Sequence, residues 1–176
     1  VAGQLDIGTF SSSAAAAARW TAEVISQSTL EALERLEPVG ERDGVGMYHG
    51  SPRDPVWEYV MSSDQARAAL RMQSHSLALV GHSHVACWFR ERGESLTADY
   101  GAHGSRLDLS ADRWIVNPGS VGQPRDGDSR AAYLLLDTDA KQASFGRVEY
   151  PIESAARSIL DAGLPRQLAD RLYLGQ

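Results

Sequence analysis

Apolar residues recur at helical spacing in five segments of the chain, and most of these segments begin or end at a recognisable signal. Three serines at 11–13 precede the first segment, residues 14–27. The second begins with the capping-box pattern Ser-Thr-Leu-Glu at 28–31 and stops at Pro38. The other three helices are predicted at 63–72, 152–162 and 165–174. The last two carry no functional motif and are predicted to cover a core.

Two short apolar runs, residues 45–48 and 76–80, are typical of buried strands. The helix predicted between them gives the order strand, helix, strand, which predicts parallel neighbours in one sheet. From residue 85 onward the apolar positions alternate in shorter runs, which is typical of antiparallel pairs. We predict three such pairs: 85–90 with 95–100, 106–109 with 113–116, and 131–136 with 143–150.

Three histidines follow the two predicted parallel strands. His49 closes the first strand, and His82 and His84 follow the second within Gly-His-Ser-His at 81–84. A lone His-x-His pair is equally consistent with polar loop residues. Parallel strands, however, carry their ligand sites beyond their carboxyl ends, so all three imidazoles are predicted on one rim. Imidazole is a common metal ligand, and the sequence therefore predicts a metal site there.

Composition restricts the class of protein. The chain has 176 residues, 43% hydrophobic and 23% charged, with a net charge of −6, which fits one domain with a real core over residues 1–176. The mild acidity argues against nucleic acid as a partner. One cysteine, Cys87, permits no internal disulfide and fits a reducing, cytoplasmic compartment. The uncharged stretch at residues 7–18 is too short and polar to span a bilayer, and no signal peptide is visible.

A loop rich in glycine and proline, residues 117–127, separates the second and third antiparallel pairs. Such a loop can present backbone N–H groups to an anion, or it can simply turn a corner. Arg125 in this loop is a candidate substrate-binding residue that would contact a phosphate. The alternative is a salt bridge to Asp126 or Asp128.

Taken together, His49-Gly50, the Gly-His-Ser-His at 81–84 and the Asn-Pro-Gly-Ser-Val-Gly-Gln-Pro-Arg at 117–125 resemble the C-terminal part of calcineurin-like metallophosphoesterases, the YfcE-type bacterial phosphodiesterase branch above all. The resemblance implies an α/β fold, a four-layer sandwich of two mixed β-sheets flanked by helices. It also implies a two-metal site in which His49 and His82 bind one ion and His84 the other.

The chain departs from the family pattern at its beginning. The family's Asp-x-His, Gly-Asp-x-x-Asp and Gly-Asn-His motifs would all lie ahead of residue 1, and Gln4 and Leu5 are interpreted as linker residues. Asp54 and Asp126 are the nearest loop acids, and both are expected to be turn or cap residues. The chain is therefore expected to lack the N-terminal portion of the domain, to have open sheet edges beside its two parallel strands, and to contain no catalytic residue of its own.

The function implied is hydrolysis of a phosphomono- or phosphodiester of a small molecule by a water activated by two divalent ions, which could be manganese, iron, zinc or nickel. The isolated chain is expected to be inactive. Two alternatives remain open. One is a non-catalytic protein-binding scaffold with the same fold, as in retromer-subunit-type relatives. The other is an unrelated single-metal His-x-His hydrolase, although no glutamate base is well placed for it.

Overall fold

The computed structural model describes residues 6–176, so the interpretation of Gln4 and Leu5 lies outside the described residues. The described residues divide into two compact units, one formed by residues 6–37 and 151–174 and the other by residues 38–150 and 175–176. The organisation as a single domain remains a prediction. Among the described residues, no helix is long and apolar enough to cross a membrane.

The first unit is helical. Its helices are α1 (Ser12–Val24), α2 (Gln27–Glu34), α4 (Ile152–Asp161) and α5 (Arg166–Leu174), and a 3-10 turn at Ile7–Thr9 precedes them. Serine hydroxyls cap the first two, because Ser11 Oγ accepts from Ala14 N and Ser26 Oγ accepts from Thr29 N. The second helix thus starts at a serine two residues before the predicted capping box. Gly163, with φ of +70°, ends α4 in the left-handed conformation that favours glycine.

The second unit contains two sheets and one helix. The larger sheet has the order β1-β2-β3-β7-β4-β5 and is mixed, because β2, β3 and β7 are parallel and the other pairs are antiparallel. The smaller sheet has the order β6-β9-β8 and is antiparallel throughout. The strand and helix bounds are β1 Val39–Arg42, β2 Val45–Tyr48, α3 Ser63–Met72, β3 Leu77–Val80, β4 Ala86–Arg92, β5 Ser95–Tyr100, β6 Arg106–Asp108, β7 Arg113–Pro118, β8 Ala131–Asp137 and β9 Gln142–Val148.

The predicted α/β fold with a mixed sheet and flanking helices is confirmed. The expectation that both sheets are mixed is wrong for the smaller one, in which β8 and β9 form a hairpin and β6 pairs antiparallel with β9. The parallel pairing of β2 with β3 is also confirmed. The expected open edges beside these two strands are absent, since β1 pairs with β2 and β7 pairs with β3.

One predicted strand pair is wrong. Residues 106–109 and 113–116 do not pair with each other: β6 joins β9, and β7 lies between β3 and β4 in the other sheet. Burial explains the separation. The four central residues of β7 are buried, which suits the middle of a sheet, whereas β6 exposes both of its end residues, which suits an edge.

The two faces of the larger sheet form two cores. Side chains alternate along β7, so that Ile115 packs with α3 on one face while Trp114 and Val116 pack between the two sheets. The core beside α3 includes Leu70, Val80 and Phe89. These cores hold β2 and β3 in register, and both strands end at the same rim.

Candidate metal centre

His49 lies directly after β2, on a turn that only glycine permits. A Cβ on Gly50 would lie 2.5 Å from the carbonyl oxygen of Asp54. The buried hydroxyl of Ser51 organises the rest of this turn: it accepts from the backbone N–H groups of Arg53 and Asp54, each at 3.0 Å, and donates to Glu58. The imidazole is thus carried by a loop with few alternative conformations.

The loop that carries the other two histidines has a strained backbone. Ser83 N donates to Gly81 O at 2.7 Å, and this γ-turn has His82 at its centre with φ of 60°. His84 also has φ of 60°. Non-glycine residues rarely adopt this region, and such conformations persist only where surrounding contacts hold them.

Asn117, at the end of β7, supplies those contacts. Its side chain is 1% exposed, and its Nδ2 donates to Gly81 O at 2.7 Å and to Ser83 Oγ at 2.9 Å. Its Oδ1 accepts from Gly119 N at 2.9 Å, so one amide side chain ties the histidine loop to the loop that follows β7. The Asn-Pro-Gly-Ser segment here holds the histidines rather than simply turning a corner.

His49 and His82 meet at the rim. Their Nε2 and Nδ1 atoms are 3.0 Å apart, with the rings edge to face. Two donors bound at right angles to one ion, with bonds of roughly 2.0–2.2 Å, would also lie about 3 Å apart. The donor chemistry and the spacing of this pair therefore fit a shared divalent ion. Tyr59 stacks on His82 with ring centroids 4.1 Å apart and fixes the plane of that ring.

His84 takes its orientation from the neighbouring loop. Its Nδ1 donates to Gln123 O at 2.8 Å, and its own carbonyl oxygen accepts from Arg125 N at 3.1 Å. The first bond places the ring proton on Nδ1 and the lone pair on Nε2, which is how metal-binding histidines are commonly oriented. In the described part of the chain, no three His, Cys, Asp or Glu side chains form one group that could hold an ion.

The two loop acids are structural. Asp54 Oδ1 accepts from Val56 N and Trp57 N, so it is the cap residue expected from the sequence. The same expectation is wrong for Asp126, which forms a buried ion pair with Arg147 and accepts from Ala86 N at 3.1 Å. A lone turn residue would not need the side-chain partner that β9 supplies.

Arg125 gives the rim a positive charge, and this charge acts on the histidines. Burial lowers the pKa of His82, and the nearby His49, His84 and Arg125 lower it further. Arg125 donates to Gln123 Oε1 at 3.1 Å, and no carboxylate among the described residues lies within ion-pair distance of it. The predicted alternative of a salt bridge to Asp126 or Asp128 is wrong, because those acids pair with Arg147 and Arg130.

Sequence reasoning missed Tyr59 and the roles of Asn117 and Gln123. The Asn-Pro-Gly-Ser pattern marked the loop, but no local signal shows that an asparagine reaches a carbonyl group 36 residues earlier. The remaining histidines stay outside the rim: His75 contacts Glu41 at 3.4 Å, and His103 accepts from Arg147 N.

Comparison with known proteins agrees with this fold. Residues 1–141 match the family model of the calcineurin-like phosphoesterase superfamily domain. The chain is 34% identical over 182 residues to the uncharacterized protein MJ0912 of Methanocaldococcus jannaschii, and the match covers 100% of this chain and 72% of that protein.

Two crystal structures have the same architecture. A metallophosphoesterase from Sphaerobacter thermophilus is 37% identical, with a TM-score of 0.89 over 99% of this chain and 72% of that one. The hypothetical protein PH1004 from Pyrococcus horikoshii is 18% identical, with a TM-score of 0.74 over 100% of this chain and 68% of that one, a likeness of fold alone. The chain therefore belongs to the calcineurin-like phosphoesterase superfamily.

Proposed function

We propose that this chain forms part of a metal-dependent phosphoesterase that hydrolyses a phosphomono- or phosphodiester of a small molecule. The superfamily generally binds divalent metal ions and acts on phosphate esters. The observation that carries the proposal is the 3.0 Å approach of His49 Nε2 to His82 Nδ1 at the ends of adjacent parallel strands. Binding of a shared metal ion is the simplest explanation for two imidazoles that separate, well-ordered loops hold this close together.

In this proposal His49 and His82 hold one ion and His84 holds a second. Imidazole suits iron, zinc and nickel, whereas manganese prefers carboxylate, carbonyl and water oxygens. Bound divalent ions supply the Lewis acidity that activates a water for attack on phosphorus and the charge that stabilises the transition state. Asn117 and Tyr59 keep His82 in place, and the Gln123 carbonyl group keeps the lone pair of His84 on Nε2.

Arg125 is the proposed phosphate contact. Its guanidinium lies close enough to His82 to lower the pKa of that imidazole, and no described carboxylate neutralises it. The positive charge of this guanidinium makes the rim a favourable place for a phosphate. The guanidinium of Arg125 would attract the phosphate group through its charge and orient the ester by hydrogen bonds.

We further propose that the chain is the C-terminal portion of a YfcE-type phosphodiesterase domain located in the cytoplasm, with no nucleic-acid partner. It spans 72% of MJ0912, and the described residues place no carboxylate ligand between the histidines. The carboxylates that a two-metal site requires would then come from the rest of the polypeptide. The isolated chain should hydrolyse bis(4-nitrophenyl) phosphate with Mn²⁺ no faster than buffer.

The test uses the full-length protein. His82→Ala and His84→Ala should each lower Mn²⁺ content and phosphodiester turnover at least a hundredfold while the protein still unfolds in one cooperative transition, since both side chains lie in a loop beyond a strand end and outside the core. His103→Ala, a histidine outside the rim, is the matched control and should change neither quantity. Normal metal content and turnover in both rim variants would refute the proposal.

The alternative is a non-catalytic, protein-binding scaffold. The absence of a three-donor group in the described part of the chain favours it. A scaffold has no need for the strained backbone at His82 and His84, however, and that strain favours the enzyme. A full-length protein that binds no Mn²⁺ and hydrolyses no phosphate ester would decide for the scaffold.

A further inference from the structure

A cavity of about 350 Å³ lies between the start of α3 and the hairpin of β4 and β5. Its floor consists of Val85, Cys87 and Phe89, which are 5–8% exposed. Met61 and Tyr100 line it as well, and they are 56% and 71% exposed. The volume lies at the lower end of the roughly 300–1,000 Å³ that small-molecule sites occupy.

Two residues that line the cavity lie close to rim residues in the sequence. Val85 directly follows His84 in the chain, and Met61 comes two residues after Tyr59, the residue that stacks on His82. The strand register agrees, because Tyr100 pairs with Cys87 near the first residue of β4, the end nearest to His84. A phosphate held at the histidines could therefore extend its ester group into the cavity.

The side chains that line the cavity determine which kind of ester group it can bind. Apolar and sulfur-containing side chains dominate, and such side chains suit flat aromatic groups. Among the described residues that line the cavity there is no Lys or Arg, and the one acid, Asp99, alternates with Ala98 and Tyr100 along β5, so its carboxylate lies on the other face of the strand. An ester group that carried further negative charge would find no cation in the cavity, so a polyphosphate chain does not fit.

We propose that this cavity binds the alcohol part of the phosphate ester, and that this part is a neutral aromatic group. The inference rests on the proposed function, because it assigns the substrate class of the same site. Exposed Met61 and Tyr100 would close over the aromatic ring, which accounts for large apolar side chains being in contact with solvent beside the site.

Ala98 gives a clean test. It lines the cavity and lies on the exposed strand β5, opposite Phe89, so Ala98→Phe fills the cavity without opening the core. Thr97→Phe adds the same ring to the same strand on its other face and is the matched control. Ala98→Leu fills less of the cavity and should give an intermediate effect if the larger variant does not fold.

The first measurement uses the full-length protein and 1-naphthol, a neutral probe without phosphate, titrated by calorimetry. Ala98→Phe should raise the Kd for 1-naphthol at least tenfold, whereas Thr97→Phe should leave it within twofold. Naphthol that does not bind the wild type, or that binds Ala98→Phe equally well, would overturn the inference whatever the state of the metal site.

The second measurement compares 1-naphthyl phosphate with inorganic phosphate in the presence of Mn²⁺. The wild type should prefer the ester at least tenfold, and Ala98→Phe should lose this preference while it still binds inorganic phosphate. Equal affinity of the wild type for both would overturn the inference and leave the proposed function standing. A wild type that binds neither anion would refute the proposed function itself and the inference with it.

Discussion

Replacing Asn117 with alanine should damage both the fold and the metal site. The substitution removes two donated hydrogen bonds and one accepted bond, of which the bond to Ser83 Oγ is buried and the other two are partly buried. At about 1 kcal/mol each, the free energy of unfolding should fall by about 3 kcal/mol. For a protein of this size that corresponds to a drop in melting temperature of roughly 6–12 °C.

The effect on the metal follows from the strained turn. Without Asn117, His82 and Ser83 can relax, and metal binding must then order them again at roughly 1–2 kcal/mol per residue. The Kd of the full-length protein for Mn²⁺ should therefore rise at least tenfold, as measured by titration calorimetry beside urea denaturation.

Gln73→Ala is the matched control for this experiment. Gln73 is also a buried amide that donates to two carbonyl oxygens, those of His75 and Trp114, but it lies at the opposite end of β3. Gln73→Ala should lower the free energy of unfolding by about 2 kcal/mol and keep the Mn²⁺ affinity within twofold of the wild-type value. If Asn117→Ala lost stability and kept wild-type Mn²⁺ affinity, the argument that Asn117 holds His82 would be refuted.

Three further predictions concern groups away from the histidines. Burial, and to a lesser extent the charge of Asp126, raises the pKa of the Cys87 thiol to about 12. Iodoacetamide at pH 8 should therefore alkylate Cys87 at least a hundredfold more slowly in the native protein than in the guanidinium-unfolded protein. Equal rates would contradict this burial. Asp126→Asn leaves the buried Arg147 with only its longer contact to Asp128, at 3.9 Å, and should cost about 3 kcal/mol in urea denaturation. A loss below 1 kcal/mol would contradict this. The hydrogen bond from Arg130 and then the charge of Arg147 lower the pKa of Asp128 to about 2 from 3.8. The stability from Asp128 is therefore present above about pH 4 and lost as the pH falls towards 2, and Asp128→Asn should flatten this acid loss in urea denaturation at stepped pH.

Local patterns predicted the elements whose partners lie close in sequence. The hairpins of β4 with β5 and of β8 with β9 follow from alternation and turn residues, and the parallel pair β2 and β3 follows from the helix between them. This pair was enough to place His49 and His82 on one rim. The site could be predicted this far because it depends on strand ends rather than on side-chain packing.

The strands that were predicted wrongly are those whose pairing depends on residues far away in the sequence. The segments at 106–109 and 113–116 are separated by a short turn typical of a hairpin, yet β7 packs better between β3 and β4, where Ile115 and Val116 are fully buried. β1 escaped prediction because its charged residues Glu41 and Arg42 show no apolar alternation. Burial on both faces of a strand is a property of the whole sheet and is not encoded in a four-residue window.

The structure also gives a physical reason why the Gly-His-Ser-His and Asn-Pro-Gly-Ser segments occur together. The end of β7 and the loop after it contact the histidine loop at successive points. Asn117 donates to Gly81 O and Ser83 Oγ, the Gln123 carbonyl group accepts from the ring of His84, and Arg125 N donates to the carbonyl group of His84. The left-handed backbone at both histidines is unfavourable for non-glycine residues and needs these contacts to persist. Neither segment could keep this geometry alone, so the pair of motifs carries more information about the site than the two histidines by themselves.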